Sequence, residues 1–294
     1  MNKIGMHYGF WSHNWDEIEY LPLIKKLARL GFDLCEVASA EFGYYSDEQL
    51  RELKSCADDH GIGFTYSIGL RAEHDLASDD AAIRRAGIAH VRRILESMPK
   101  VGATVLNGVS YAGWQAMPDH GITLDQKRRK EDLALASLGE LMAVAEDCGV
   151  TYCCEVVNRF EQYLLNTARE GVAFVQRLGS SNAKILLDTF HMNIEEDDMA
   201  SAIREAGPYL GHLHVGENNR RPPGSGKLPW VEISTALKEI DYQGAVVMEP
   251  FILMGGSIPY DIKVWRDLSQ GADEAAMDAM AADACRFMKE LLNH

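Results

Sequence analysis

Four apolar runs in this chain each end on a residue type that can hold a divalent cation. TYCCEVV carries Glu155, KILLDTFH carries Asp188, LGHLHVG carries His214 and AVVMEP carries Glu249. Three carboxylates converging on one place repel each other unless protonation or a cation relieves the charge. A hard divalent ion is the less costly solution, and oxygen donors with one imidazole suit Mn, Co or Mg better than the thiolate-rich sites that select zinc or iron–sulfur clusters. The bland alternative is four unrelated surface or salt-bridged residues, but acids buried at strand ends without partners are costly. We therefore expect Glu155, Asp188, His214 and Glu249 to share one metal. His212, two residues before His214, faces the same way along a strand. A hydrogen-bonded packing histidine is expected there before a ligand. Arg220 and Arg221 follow in a loop closed by Pro222 and Pro223, which could aim one guanidinium inward. Gly224-Ser225-Gly226-Lys227 lacks the full spacing of a phosphate loop and is not assigned to phosphate. Trp11, Trp15 and Trp114 read as loop residues that either stack on a sugar or only pack.

These residues need a scaffold that brings strand ends together. Short β-rich runs alternate with segments of helical period eight times. Strands are expected at Ile4 to Phe10, Asp33 to Val37, Gly63 to Ile68, Thr104 to Gly108, Thr151 to Val156, Lys184 to Leu187, Leu210 to Val215 and Ala245 to Met248. Helices are expected at roughly 17–30, 47–59, 79–98, 127–147, 167–178, 197–206, 230–240 and 273–292. The helix-to-strand junctions RLGFD, DHGIG, KVGAT, DCGVT, RLGSS, EAGPY and DYQGA each put a glycine where a helix must stop. A doubly wound sheet would open on a dinucleotide fingerprint, and the first strand instead runs into FWSHNW. The pattern predicts an α/β chain folded as a single (β/α)8 TIM barrel over residues 1–294. On that fold the strand-to-helix loops form the catalytic face. The longest, Ser110 to Gln126, His214 to Trp230 and Pro250 to Gly271, read as lids or oligomer contacts.

A chain of 294 residues with net charge −15 disfavours nucleic acid and anionic membranes as partners. The six cysteines show no metal spacing, and no apolar run approaches the ~18 residues of a membrane span. With no signal-peptide pattern at MNKIGMHYGFW, these features point to reduced thiols and a cytoplasmic location.

At EVVNRFE, LDTFHMNIEE, GHLHVGENNR, LPW and VVMEPF, and on to KVWRDLS, the sequence resembles the ketose 3-epimerase family of D-tagatose and D-psicose (D-allulose) 3-epimerases. The resemblance implies a xylose-isomerase-like barrel, one Mn or Co ion, and inversion at C3 of a free ketohexose. Glu155, Asp188, His214 and Glu249 take the family's metal positions. Glu161, His191 and Arg220 take the positions holding the O1 to O2 end of the sugar. Glu155 and Glu249 would then remove and return the C3 proton on opposite faces through a cis-enediolate, each also ligating the metal. The expected substrates are D-fructose with D-psicose and D-tagatose with D-sorbose, and the expected assembly is a homodimer or homotetramer.

The chain departs from the family pattern at His7, at Asn218 and in the loop around Trp114. These differences fall toward the C4 to C6 end of the sugar, where His7 could contact a terminal hydroxyl. The alternatives are an L-ribulose 3-epimerase, a hydroxypyruvate isomerase-like or other sugar isomerase of the same superfamily, a metal-dependent apurinic endonuclease, and a noncatalytic sugar-binding barrel. The acidic charge argues against the endonuclease.

Overall fold

Eight parallel strands close into a barrel in simple sequence order in the computed structural model, which describes residues 2–293. The strands are β1 (Ile4–His7), β2 (Leu34–Ala38), β3 (Gly63–Gly69), β4 (Val105–Val109), β5 (Thr151–Val156), β6 (Ala183–Asp188), β7 (Leu210–Val215) and β8 (Val246–Met248). The helices are α1 (Tyr20–Leu30), α2 (Ser39–Phe42), α3 (Asp47–His60), α4 (Ala81–Val101), α5 (Leu124–Asp147), α6 (Ala168–Gln176), α7 (Thr189–Glu195), α8 (Met199–Ala206), α9 (Trp230–Glu239), α10 (Ser257–Asp261) and α11 (Glu274–Asn293). This is the (β/α)8 barrel that the alternation predicts, with β1 paired to both β2 and β8.

Local chemistry sets the boundaries. Ser46, Thr123 and Thr167 open α3, α5 and α6 with reciprocal side-chain and backbone bonds to Gln49, Gln126 and Glu170. Six of the seven expected stop glycines have positive φ, for example Gly31 at 90° and Gly61 at 69°. At the seventh junction Asp241, with φ of 52°, makes the turn in place of Gly244. The first strand is shorter than expected: it ends at His7, whose Nδ1 accepts from Gly9 N at 3.2 Å and caps a short 3-10 turn, Tyr8–Trp11. The small helices α2, α7 and α10 have too few residues to show a period in sequence, and each begins within the loop after a strand.

The core lies between the barrel and its helices, with Cys154, Leu213 and Val215 among its buried residues. The six cysteines are unpaired; Cys35, Cys153, Cys154 and Cys285 are buried, whereas Cys56 and Cys148 are half-buried. Burial pushes the Cys153 and Cys154 thiols up, so both serve as packing groups. Among the described residues no helix is long and apolar enough to cross a membrane.

Candidate metal centre and sugar pocket

The strand ends deliver the four expected side chains to one mouth. β6 and β7 pair with Asp188 opposite His214. Glu155 ends the same face of β5, and Glu249 N donates to Val215 O at 3.0 Å just past β8. One ligand atom from each of Glu155, Asp188, His214 and Glu249 lies within 4.8 Å of all the others. Asp188 divides its carboxylate between two tasks: Oδ1 accepts from Phe190 N at 2.7 Å and opens α7, which leaves Oδ2 for the cluster.

The donor set fits a hard divalent ion. Neither ring nitrogen of His214 has a hydrogen-bond partner among the described residues: Nε2 stands 2.7 Å from Glu36 Oε1, and Nδ1 faces Glu249 Oε2 at 3.6 Å and Glu155 Oε1 at 4.0 Å. An unpartnered buried nitrogen aimed at carboxylate oxygens is what a ligand position leaves when protein atoms alone are considered.

The two glutamates have opposite environments. Burial, reinforced by the charges of Glu249 and Asp188, pushes Glu155 well above the usual carboxylate range. Burial pushes Glu249 the same way, but the positive charges of the His214 imidazolium and the Arg220 guanidinium outweigh it and hold Glu249 below that range. Arg220 Nη1 stands 2.8 Å from Glu249 Oε2 and 2.9 Å from Asp188 Oδ2. The two carboxyls are thus held apart in acidity, Glu155 as the weaker acid of the pair and Glu249 as the stronger.

Around this centre the other expected residues assemble. Asn158 is oriented by Phe160 N, which donates to its Oδ1 at 2.9 Å, so its amide N faces His191 Nδ1 at 2.7 Å. His191 Nδ1 is therefore an acceptor, and Nε2 carries the proton, 3.6 Å from Glu155 Oε1. Burial holds this imidazole down to about 4, so it is a neutral donor at neutral pH. Glu161 Oε2 accepts from Trp114 Nε1 at 3.0 Å, and its Oε1 stands 3.7 Å from Arg220 Nη2. Arg220 also lies over the Phe190 ring at 3.9 Å from the centroid.

Arg220 is buried because the loop after β7 is tied in place. Glu217 N and O form backbone bonds with Arg221 O and Arg220 N, both at 2.9 Å, and Arg220 takes a φ of 66°. The Glu217 carboxylate accepts from Gly224 N (2.9 Å), Lys227 N (3.1 Å), Leu228 N (3.3 Å) and Trp230 Nε1 (2.8 Å). The glycine-rich segment that resembles a phosphate loop thus holds one of the chain's own carboxylates. Arg221 instead reaches Leu268 O at 3.3 Å, and Arg159 pairs with Glu195 on the surface.

A cavity of about 450 Å³ opens over Glu155, Glu161, His191, Arg220 and Glu249. His7, Trp15, Trp114 and Phe251 also line it, with Trp15 and Trp114 edge to face at 6.2 Å. Trp11 does not: it packs beneath Lys26, whose Nζ is 4.9 Å from the ring centroid. Asn218 does not line the cavity either.

Glu36 on β2 escaped the sequence reading. It is fully buried, accepts from Thr65 Oγ1, Asn107 Nδ2 and His212 Nε2, and stands 2.7 Å from His214 Nε2. His212 is thus a hydrogen-bonded residue one layer down, as its position implied. The signal for Glu36 was present in LCEVA, an apolar strand run with one carboxylate, the same form as CCEVV.

The profile of the xylose isomerase-like TIM barrel family matches residues 24–277. The chain is 48% identical to D-psicose 3-epimerase of Ruminiclostridium cellulolyticum over 290 residues, covering 99% of this chain and 98% of that one. It is 46% identical to D-psicose 3-epimerase of Agrobacterium fabrum over 290 residues, covering 99% of each. Its fold superposes with a TM-score of 0.95 on a crystal structure of D-psicose 3-epimerase with D-tagatose from Clostridium cellulolyticum H10, at 46% identity and 99% coverage of both chains. The strand-end carboxylates, the pocket and this likeness over the whole barrel agree: the chain belongs to the xylose isomerase-like TIM barrel family and, within it, to the ketose 3-epimerases.

Proposed function

We propose that this chain is a metal-dependent ketose 3-epimerase, working as one domain over residues 1–294, that interconverts D-fructose with D-psicose and D-tagatose with D-sorbose. One observation carries the reading: Glu155 and Glu249 meet at the same mouth, with ligand atoms within 4.8 Å of each other and of those of Asp188 and His214, and their surroundings push the two carboxyls in opposite directions. Epimerisation at C3 needs a base on one face of the carbon and an acid on the other. For one epimer, ionised Glu249 takes the C3 proton and the carboxyl of Glu155 returns a proton to the opposite face of the enediolate. The proton has then moved from Glu155 to Glu249, which is the state needed to process the other epimer.

Glu155, Asp188, His214 and Glu249 would hold one divalent ion, Mn or Co, with Mg also compatible with these donors. When bound, the ion supplies positive charge that polarises the C2 carbonyl and stabilises the negative charge developing on the ketose. His191 donates from Nε2, and Arg220 and Glu161 complete the grip on the O1 to O2 end. Trp114 and His7 wall the rest of the sugar. The cavity lining favours an uncharged sugar over a sugar phosphate, because Asp16, Glu41, Glu155, Glu161, Glu249 and Asp261 oppose only Arg71 and Arg220. Exposed Met254, Tyr260 and Trp265 on the loop after β8 support a homodimer or homotetramer, and the unpaired cysteines support a cytoplasmic location.

The test is a substrate panel of D-fructose, D-psicose, D-tagatose and L-ribulose on chelated protein and again after adding Mn or Co. C3 epimers should appear by chromatography only after metal is restored. No epimer from any of the four ketoses would overturn the assignment. Glu249→Gln should abolish turnover while largely keeping sugar binding; full activity would remove Glu249 from the acid/base pair.

A further inference from the structure

We propose that Glu36 is a positioning residue for the metal centre: its buried carboxylate fixes the His214 ring with the proton on Nε2, leaving the Nδ1 lone pair for the ion. The inference rests on the metal-centre reading above and concerns a residue that touches neither the ion nor the sugar.

The arrangement favours one orientation. Glu36 sits on β2 and His214 on β7, so their contact crosses the barrel interior, and both are fully buried. Oε1 of Glu36 is 2.7 Å from His214 Nε2. Its other oxygen, Oε2, accepts from Asn107 Nδ2 at 2.6 Å, Thr65 Oγ1 at 2.9 Å and His212 Nε2 at 3.0 Å. Three donors on Oε2 leave Oε1 as the group that addresses His214. A carboxylate only accepts, so an Nε2 lone pair at 2.7 Å would face another lone pair, whereas an Nε2–H faces its acceptor. The contact is bent away from ideal hydrogen-bond geometry, so the ring is held by electrostatic attraction and by the edge of His212, with ring centroids 5.2 Å apart. On its opposite side, Nδ1 looks toward Glu155 and Glu249 with no partner of its own.

A purely structural role is the competing explanation: a polar knot that fills the barrel and would tolerate any group of similar shape. The two differ in what Glu36→Gln should do. Gln presents one donor and one acceptor where the carboxylate offered two acceptors. If its amide N turns to His214, the favoured tautomer reverses and the proton moves to the nitrogen facing the metal. If its oxygen turns there, the amide N meets the donors of Asn107 and His212.

The experiment has two readouts besides turnover. The first is 15N-histidine NMR of the wild-type protein loaded with diamagnetic Mg2+, which reports the protonated nitrogen of His214. The second is Mn2+ affinity by titration calorimetry for wild type, Glu36→Gln and Thr65→Val. Wild type should show the proton on Nε2, and Glu36→Gln should bind Mn2+ roughly 10–100-fold more weakly with the tautomer disturbed. Thr65→Val removes one donor to Oε2 but leaves the carboxylate facing His214, so its affinity should fall by less than about threefold. Equal Mn2+ affinity in Glu36→Gln and wild type, or a proton on Nδ1 in the wild-type spectrum, overturns the proposal. Should Glu36→Gln fail to fold, a proton on Nδ1 in the wild-type spectrum still overturns the proposal. Wild type that binds no Mn2+ overturns the metal-centre reading itself and this inference with it.

Discussion

Replacing Trp114 with phenylalanine removes one hydrogen bond at a known place. The indole Nε1 donates to Glu161 Oε2 at 3.0 Å, and the ring packs against Gly69, where an added Cβ would come within 2.9 Å of it. Phenylalanine keeps an aromatic ring over Gly69 but has no N–H. Glu161 is half-buried, and desolvation already pushes its carboxyl up against the opposing pull of Arg220 and the indole bond. A hydrogen bond to a charged group contributes roughly 1.5–3 kcal/mol. Asn158 Nδ2 at 3.4 Å and Arg220 Nη2 at 3.7 Å remain beside the carboxylate, so the lower end applies. About 1.5 kcal/mol corresponds to roughly a tenfold loss in kcat/KM. Because Glu161 would grip the sugar away from C3, most of the loss should appear in KM. Initial rates of D-psicose conversion, followed by chromatography, measure it. A double-mutant cycle with Glu161→Gln should return a coupling of about the same size. Rates within twofold of wild type, or a coupling near zero, would refute the view that Trp114 holds Glu161.

Two further expectations concern the scaffold. Gly108, at the mouth end of β4, has φ of 108°, and a Cβ there would lie 2.2 Å from Ile68 O. Gly108→Ala should therefore cost about 3 kcal/mol or more and lower Tm by about 5 °C or more, read by circular dichroism; an unchanged Tm would contradict the close approach of β3 and β4. His90 is held down to about 4 by burial and by His74, whose ring stacks on it at 4.1 Å. Its folded-state value lies below the unfolded one, so its contribution is intact above about 6.5 and is lost as pH falls from about 6.5 toward 4. His90→Gln should lose less stability over that window in urea titrations, and parallel curves for variant and wild type would rule out this source of acid sensitivity.

The parts legible in sequence were those encoded locally. A carboxylate at the end of an apolar run marks the mouth of a barrel strand, which is why Glu155, Asp188 and Glu249 could be grouped before any coordinates. The glycine stops needed only the left-handed turn after each helix, and even the exception at Asp241 uses the same backbone conformation. Glu36 had the same local signal, a carboxylate in the apolar run LCEVA, but its role was hidden because its partners come from β3, β4 and β7. One arginine of the proline-closed loop does point inward, Arg220, and its own φ of 66° with the backbone bonds of Glu217 adds a cause that the sequence does not show. Trp11 shared the composition of Trp15 but fell behind the cavity wall once β1 ended at His7.

The captive Glu217 carboxylate has a thermodynamic side. Four donors converge on it from within one loop, so the conformational entropy of ordering that loop is lost when the chain folds and not when a sugar arrives. A hexose has few atoms with which to offset a large ordering cost. Under the proposed function, Arg220 would meet the sugar from a segment already immobilised by an internal anion, so the sugar's modest contact energy would not go into ordering that loop.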